Sequence, residues 1–361
     1  MAIEPSPHTF EPAGLSHKAA WPLALGISPL LYAQGKWVRK QVPRLPPAPQ
    51  PWAGAVEGPR ELKVLGLGDS TIAGVGVSDA RHGLIPQFSL ALHETTQRGV
   101  SWRSVGESGA TSKDILGRFL EPALVERADI VFVCVGNDQD VREVVLADQG
   151  VLAGVSSGSI VVDHTTTSAK LARELAVALE AIQCSFIDAP VSGGQQGAES
   201  GQLTVMCGGQ TDIFKQVEPI IDYYAKSVQL MGDHGSGQLC KMVNQICIAG
   251  LVQGLAEGLN FAERAGLDAH QVVEVISKGA AQSWQMENRY KTMLAGDYDH
   301  GFAVQWMRKD LAFALNEAKS NGSLLPITEL VDQYYAEVQD LGGNRWDTSS
   351  LLARLKAKNN G

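Results

Sequence analysis

Positive charge is scarce in this sequence. Lysine and arginine number 30 against 39 aspartates and glutamates in 361 residues, a formal charge of -9. A nucleic-acid binder needs a basic face to neutralise phosphates, so no nucleic-acid partner is expected. Cysteine is sparse too, at positions 134, 184, 207, 240 and 247. None belongs to a C-x-x-C pair and no histidine stands at ligand spacing from one. Neither a metal site nor a disulfide framework is expected, and reduced thiols fit a cytoplasmic protein. Near the N-terminus an unbroken apolar run is also missing. The stretch from Ala19 to Ala33 is interrupted by Pro22 and Pro29 and is too short to span a bilayer. The residues ahead of it include Glu4 and Glu11, which suits a secretory leader poorly. What remains is a chain that is 44% hydrophobic and long enough for two ordinary domains: a soluble enzyme by composition, with no membrane partner expected.

Residues 1–60 read as an extension ending in a connector with Pro43, Pro46, Pro47, Pro49, Pro51 and Pro59. From residue 61 to 233 strands and helices alternate. Strands are expected at Leu62–Leu67, Val100–Val105, Asp129–Val135, Ile160–Val162, Phe186–Ile187, Leu203–Cys207 and Val228–Met231. Helices fall between them, around Leu84–Gln97, from a cap near Ser112, after caps at Asp138 and Thr211, and from Ser168. Such βαβ alternation predicts a doubly wound parallel sheet of the Rossmann-like α/β class. After Gly235 the pattern becomes helical throughout, giving an all-α domain over residues 234–361. Its first helix runs from Ser236 to Ala265, and the apolar Ile246–Val252 segment predicts burial on most faces.

Three segments carry chemistry. Asp188-Ala189-Pro190-Val191-Ser192-Gly193-Gly194 follows a strand, and its glycines let successive N–H groups form an anion nest. By itself it is equally a tight turn. Gly235-Ser236-Gly237-Gln238-Leu239-Cys240-Lys241-Met242-Val243-Asn244 opens a helix, with Lys241 one turn in and Asn244 on the same face. An amine between Cys240 and Met242 invites a depressed pKa, which suits general acid–base work; alone it reads as a surface lysine on an amphipathic helix, the usual case. The third is Trp306-Met307-Arg308-Lys309-Asp310-Leu311, preceded by Gly301-Phe302. Asp163-His164-Thr165-Thr166 and Val135-Gly136-Asn137-Asp138 lie at strand ends, and Trp346-Asp347-Thr348-Ser349 near the C-terminus.

Together these segments resemble the 3-hydroxyisobutyrate dehydrogenase-like β-hydroxyacid dehydrogenases, a group with a 6-phosphogluconate dehydrogenase-like fold, over about residues 129–357. The resemblance implies an oxidoreductase that uses NAD or NADP on the CH–OH group of a small 3-hydroxy acid, of 3-hydroxyisobutyrate or tartronate semialdehyde type. It implies Lys241 as the group that exchanges the hydroxyl proton. Ser192, Gly193, Gly194 and Asn244 are then the substrate-placing residues. Val135, Asn137, Thr166, Phe302 and Lys309 border the cofactor, with Gly66 and Gly68 at the pyrophosphate turn. A homo-oligomer assembled through the helical domain is implied as well.

Residues 61–128 depart from that pattern, in contrast to residues 129–233. Where G-x-G-x-x-G is expected, the chain has Gly66-Leu67-Gly68-Asp69-Ser70-Thr71. Thr71 replaces the third glycine, and Asp69 brings a carboxylate to the pyrophosphate turn. Gly68-Asp69-Ser70-Thr71 and Gly106-Glu107-Ser108-Gly109 instead resemble the first two blocks of SGNH/GDSL esterases, over about residues 25–137. That resemblance implies Ser70 as a nucleophile, with Gly109 and Asn137 lining an oxyanion hole. Near the C-terminus, where the esterase acid–base block D-x-x-H belongs, only Asp297-Tyr298-Asp299-His300 has the spacing, and it falls in the helical region. The two resemblances share one strand, Asp129–Val135, which neighbours the first strand in both sheets.

Overall fold

A computed structural model describes residues 49, 52–68, 72, 81, 83–106 and 128–359. The chain divides into a unit of residues 1–45, outside the described residues, and a unit of residues 46–361. Ser70, Thr71, Gly109 and the helix expected from Ser112 also lie outside the described residues.

Among the described residues nine strands form the sheet: β1 (Ala53–Val56), β2 (Leu62–Gly68), β3 (Val100–Gly106), β4 (Ile130–Cys134), β5 (Ile160–Asp163), β6 (Ser185–Asp188), β7 (Val191–Ser192), β8 (Leu203–Gly209) and β9 (Ala225–Leu230). Their order is β1-β3-β2-β4-β5-β6-β8-β7, with β9 on β8. The β3-β2-β4-β5-β6 core is parallel, whereas β1 pairs antiparallel with β3 and β8 antiparallel with β6. The shared strand takes the expected place: β4 lies beside β2, with Val64 opposite Ile130 and Gly68 opposite Cys134. β1 was not expected, because four residues beside a proline-rich stretch carry no readable period.

Strand residues alternate between two cores, as the period of two demands. On one face Val64, Phe132 and Val162 pack with Ile85, Phe88 and Leu92 of α1 (Leu84–Thr96) and with Phe214, Val217 and Ile221 of α6 (Thr211–Ile221). On the other, Leu65, Leu67, Val131, Val133 and Val161 pack with Val141 and Val144 of α2 (Asp138–Leu146) and with Leu171, Leu175 and Leu179 of α4 (Ala169–Glu180). Short helices α3 (Val151–Gly154) and α5 (Gly194–Glu199) complete this part. Ser168 caps α4 as expected. The cap of α2 is Asn137, not Asp138, and α6 begins at Thr211 without a side-chain cap.

The helical part contains α7 (Ser236–Arg264), α8 (Ala269–Ile276), α9 (Trp284–Ala295), α10 (Val304–Asn321), α11 (Pro326–Asp340) and α12 (Leu351–Asn359). Helix α7 is long and apolar enough by composition to cross a membrane, yet it forms the spine of this part, and Val252, Ala256 and Leu259 are fully covered by its neighbours. The expectation for residues 246–252 fails on one side. Cys247 and Leu251 are exposed, as is Val243 one turn earlier. Apolar composition all round did not mean burial all round, because among the described residues no element covers that face.

Candidate active site

The strand order reverses between β2 and β4, which leaves a crevice outside their carboxyl ends, the usual ligand position of such sheets. The first helix of the helical part starts against the ends of β6 and β8, on the same edge of the sheet. Asp188, the last residue of β6, accepts hydrogen bonds from the N–H groups of Gly235 (2.7 Å) and Gln238 (3.0 Å). Two glycines make that approach possible. A Cβ at Gly237 would collide with the Met206 carbonyl and stand 2.8 Å from the Asp188 carbonyl; one at Gly208 would stand 2.8 Å from the Gly237 nitrogen. Gly235 enters the helix at φ 91°, a left-handed conformation. The glycine frame therefore serves helix–sheet contact.

One turn in, α7 turns three polar residues inward: Gln238, Lys241 and Gln245, all buried. Gln238 accepts from the Thr167 N–H (3.0 Å) and donates to the Thr165 carbonyl (2.8 Å), fixing the loop after β5. Burial pushes the Lys241 amine down to about 8; nearby Asp310 opposes that fall and nearby Lys309 adds to it. Gln245 donates to Asp310 Oδ2 (2.7 Å), while its Oε1 accepts from the side chain of Asn244 (2.9 Å), which is half-buried.

Helix α10 closes the crevice with Lys309. Its Nζ donates to the carbonyls of Gly136 (2.9 Å) and Thr166 (2.8 Å) and lies 3.3 Å from Asp310 Oδ1. Two of the ammonium's three N–H donors are thus taken by backbone carbonyls, and the Asp310 carboxylate is its ion-pair partner. The loops after β4 and β5 are thus stapled to the helical part and to one another. Thr165 Oγ1 also accepts from the Val135 N–H (3.0 Å), and Asp138 accepts from the backbone and hydroxyl of Ser168. Asp163, at the end of β5, accepts from the Thr165 N–H (2.9 Å); burial lifts its carboxyl to about 7. His164 is structural. Burial pushes it down to about 4, so it is neutral, and its Nδ1 donates to the Ala189 carbonyl while Nε2 accepts from the Tyr224 hydroxyl.

Val135, Asn137 and Thr166 therefore lie in the two loops that Lys309 joins, and Lys241 and Asn244 lie together on α7. Ser192 is in β7 opposite Thr204 of β8; Gly193 and Gly194 follow with φ 133° and 61°. Phe302 packs with the helical core, its N–H donating to Asp347 (2.9 Å). Gly66 and Gly68 are strand residues: a Cβ on Gly66 would collide with Ile85, and one on Gly68 would stand 2.5 Å from the Cys134 carbonyl. Gln238, Gln245, Asp188 and Asp310 were not singled out from sequence. The signal was present for two of them, since Gln238, Lys241 and Gln245 recur at i, i+3 and i+7 in an apolar helix. Among the described residues no cluster of three or more potential metal ligands occurs.

For an oxyanion role Asn137 is badly placed. Its Oδ1 caps α2 through the N–H groups of Gln139 (2.8 Å) and Asp140 (3.2 Å), and its amide donates to Asp140 (2.7 Å). His300 of the C-terminal esterase-like acid–base spacing is half-buried and bonded to the Asp297 carbonyl three residues before it.

A Rossmann-like sheet followed by a helical part is the architecture of nicotinamide-nucleotide oxidoreductases, and comparison with known proteins agrees. Residues 105–232 match the NAD binding domain of 6-phosphogluconate dehydrogenase, and residues 235–355 match the NAD-binding region of NADP-dependent 3-hydroxyisobutyrate dehydrogenase. The chain is 64% identical over 228 residues to an uncharacterized oxidoreductase of Shewanella frigidimarina, covering 63% of this chain and 78% of that protein. It is 40% identical to a mitochondrial 3-hydroxyisobutyrate dehydrogenase-like protein of Arabidopsis thaliana, over 66% of this chain and 71% of that one. The crystal structure of 3-hydroxyisobutyrate dehydrogenase from Salmonella typhimurium superposes with a TM-score of 0.62 at 26% identity, covering 81% of this chain and 99% of that chain. The chain belongs to the 3-hydroxyisobutyrate dehydrogenase-like family of oxidoreductases. The expected cofactor class, NAD or NADP, agrees with both matched domains. The match begins at residue 105, earlier than the expected 129, and so includes Gly109 of the esterase-like second block.

Proposed function

We propose that the protein oxidises the CH–OH group of a small 3-hydroxy acid, of 3-hydroxyisobutyrate or tartronate semialdehyde type, with NAD or NADP. The observation that carries this reading is Lys241: a buried amine with a lowered pKa, one turn into α7 and close to Lys309, which holds the loops after β4 and β5. The described walls fit a dinucleotide at its nicotinamide end, since the loops after β4 and β5 are backbone-rich and held rigid by Lys309. Bound there, the nicotinamide supplies the hydride acceptor. Lys241 as free amine takes the hydroxyl proton in oxidation and returns it as ammonium in reduction. Ser192, Gly193 and Gly194 receive the substrate carboxylate on backbone N–H groups, and Asn244 orients the hydroxyl. Lys309, bonded to two loop carbonyls and paired with Asp310, supports cofactor binding by holding Val135, Asn137 and Thr166 in place.

Cofactor affinity is weak in this proposal. The sequence has Thr71 in place of the third fingerprint glycine and Asp69 beside it. Each change costs on the order of 1–3 kcal/mol, about tenfold or more in affinity. The protein works as a homo-oligomer in the cytoplasm, assembled through the uncovered face of α7, where Val243, Leu251 and Phe261 are 59%, 48% and 71% exposed. Ester hydrolysis through Ser70 stays near background. Titrating purified protein with NADH and with NADPH tests the reading: saturable binding of either at high micromolar to millimolar concentration is expected, and no binding of either would refute it.

A further inference from the structure

Two lysines and one buried aspartate meet where α7 crosses α10, and the aspartate is paired with Lys309, not with Lys241. That choice needs an explanation. Opposite charges in a low-dielectric interior attract strongly, and Lys309 already has two carbonyl acceptors. Asp310 Oδ1 lies 3.3 Å from Lys309 Nζ but has no well-aligned hydrogen bond. The carboxylate's one directional anchor is Gln245, through Oδ2 at 2.7 Å. Gln245 itself cannot turn away without loss. Asn244 donates to its Oε1, which commits Nε2 to face Asp310, and the Met307 sulfur lies 3.9 Å from the same nitrogen.

We propose that Gln245 is a positioning residue that holds the Asp310 carboxylate on the Lys309 side and so keeps Lys241 free to exchange a proton with substrate. This rests on the reading of Lys241 as the proton-handling group. Other charges near Lys241 are already engaged. Asp188 of β6 is spent on the start of α7, and Arg308 of α10 is turned to Asp332 and Gln339. Arg173 of α4 lies against the helix entry at Gly235. The charges that act on Lys241 are those of Asp310 and Lys309, with opposite effects. Losing the Gln245 anchor lets Asp310 approach Lys241, and an ion pair there favours the ammonium.

Gln245→Leu removes the donor at similar volume. Titration of Lys241 followed by NMR on protein with 13C-labelled lysine should show its pKa rising by about 1–3 units. The rising limb of kcat/KM against pH for 3-hydroxyisobutyrate oxidation should move up with it. Adding Asp310→Asn should abolish the shift, because no carboxylate is left to capture Lys241. Should Gln245→Leu fail to fold, Gln245→Asn keeps the amide but shortens its reach, and a shift of the same sign is expected. An unchanged Lys241 titration in a folded variant, or a shift that persists in the double variant, would overturn the proposal. The titration needs no turnover. A protein that shows the shift but oxidises no 3-hydroxy acid would defeat the proposed reaction and leave the role of Gln245 standing.

Discussion

A buried amine gives up its proton more readily than one in water, and for Lys241 the displacement is downward to about 8. Oxidation needs the free amine, so its kcat/KM should rise with pH and level off above about 8; reduction needs the ammonium and should fall over the same range. A pH–rate profile in both directions checks this, and parallel profiles would exclude Lys241 as the shared group. Asp163 behaves oppositely. Its carboxyl is raised from 3.8 to about 7, with desolvation as the largest cause. Between those values the native state holds a proton that the unfolded state has released. Its contribution to stability is therefore full below about pH 4 and is lost as pH rises through 7. Asp163→Asn should remove that slope and stabilise the protein at pH 7.5 by on the order of 1–3 kcal/mol relative to wild type. Urea unfolding at pH 4.5 and 7.5 measures it; equal wild-type-to-variant differences at both values would contradict it. At this scale the sequence was partly readable. Lys241 was legible from the helix-opening glycines around it. For Gln245 the helical spacing from Gln238 and Lys241 was a signal, but Asn244 at i+3 and Gln245 at i+4 share the lysine's face, and only packing shows which is the deeper.

Helix α7 starts where it does because Asp188 ends β6 beside it and because Gly237 has no side chain. Gly237→Ala puts a methyl group into the Met206 and Asp188 carbonyls, both backbone and unable to swing aside. The expected cost is about 3 kcal/mol or more, with loss of Lys241 from its position. Thermal and urea unfolding would show it, and a variant within about 0.5 kcal/mol of wild type would mean that the helix start can shift. Capping chemistry made one element boundary readable, since Ser168 caps α4. Asn137 and Asp138 are both capping residues, and the one-residue error there had consequences: the true cap, Asn137, holds its side chain on the first turn of α2, with its amide turned to Asp140 and not to an oxyanion.

On the scale of the molecule, the strand shared by both resemblances lies beside β2, where either sheet would place it, and that adjacency was legible from topology alone. The edge beyond β3 was not. There β1 pairs antiparallel, Ala53 opposite Arg103, and four residues beside prolines give no period to read. The uncovered face of α7 predicts at least a dimer in light scattering at micromolar concentration. Phe261→Asp with Leu251→Asp should shift the mass to that of one chain, and a monomeric wild type would refute the assembly. The central claim joins crevice, cofactor and amine. Its most direct test is the initial rate of absorbance change at 340 nm with 3-hydroxyisobutyrate and millimolar NAD or NADP, wild type against Lys241→Ala. The account predicts slow, saturable reduction of one cofactor by wild type and a loss of about 10²–10⁴-fold in the variant, with cofactor binding retained. Full activity in Lys241→Ala would contradict it.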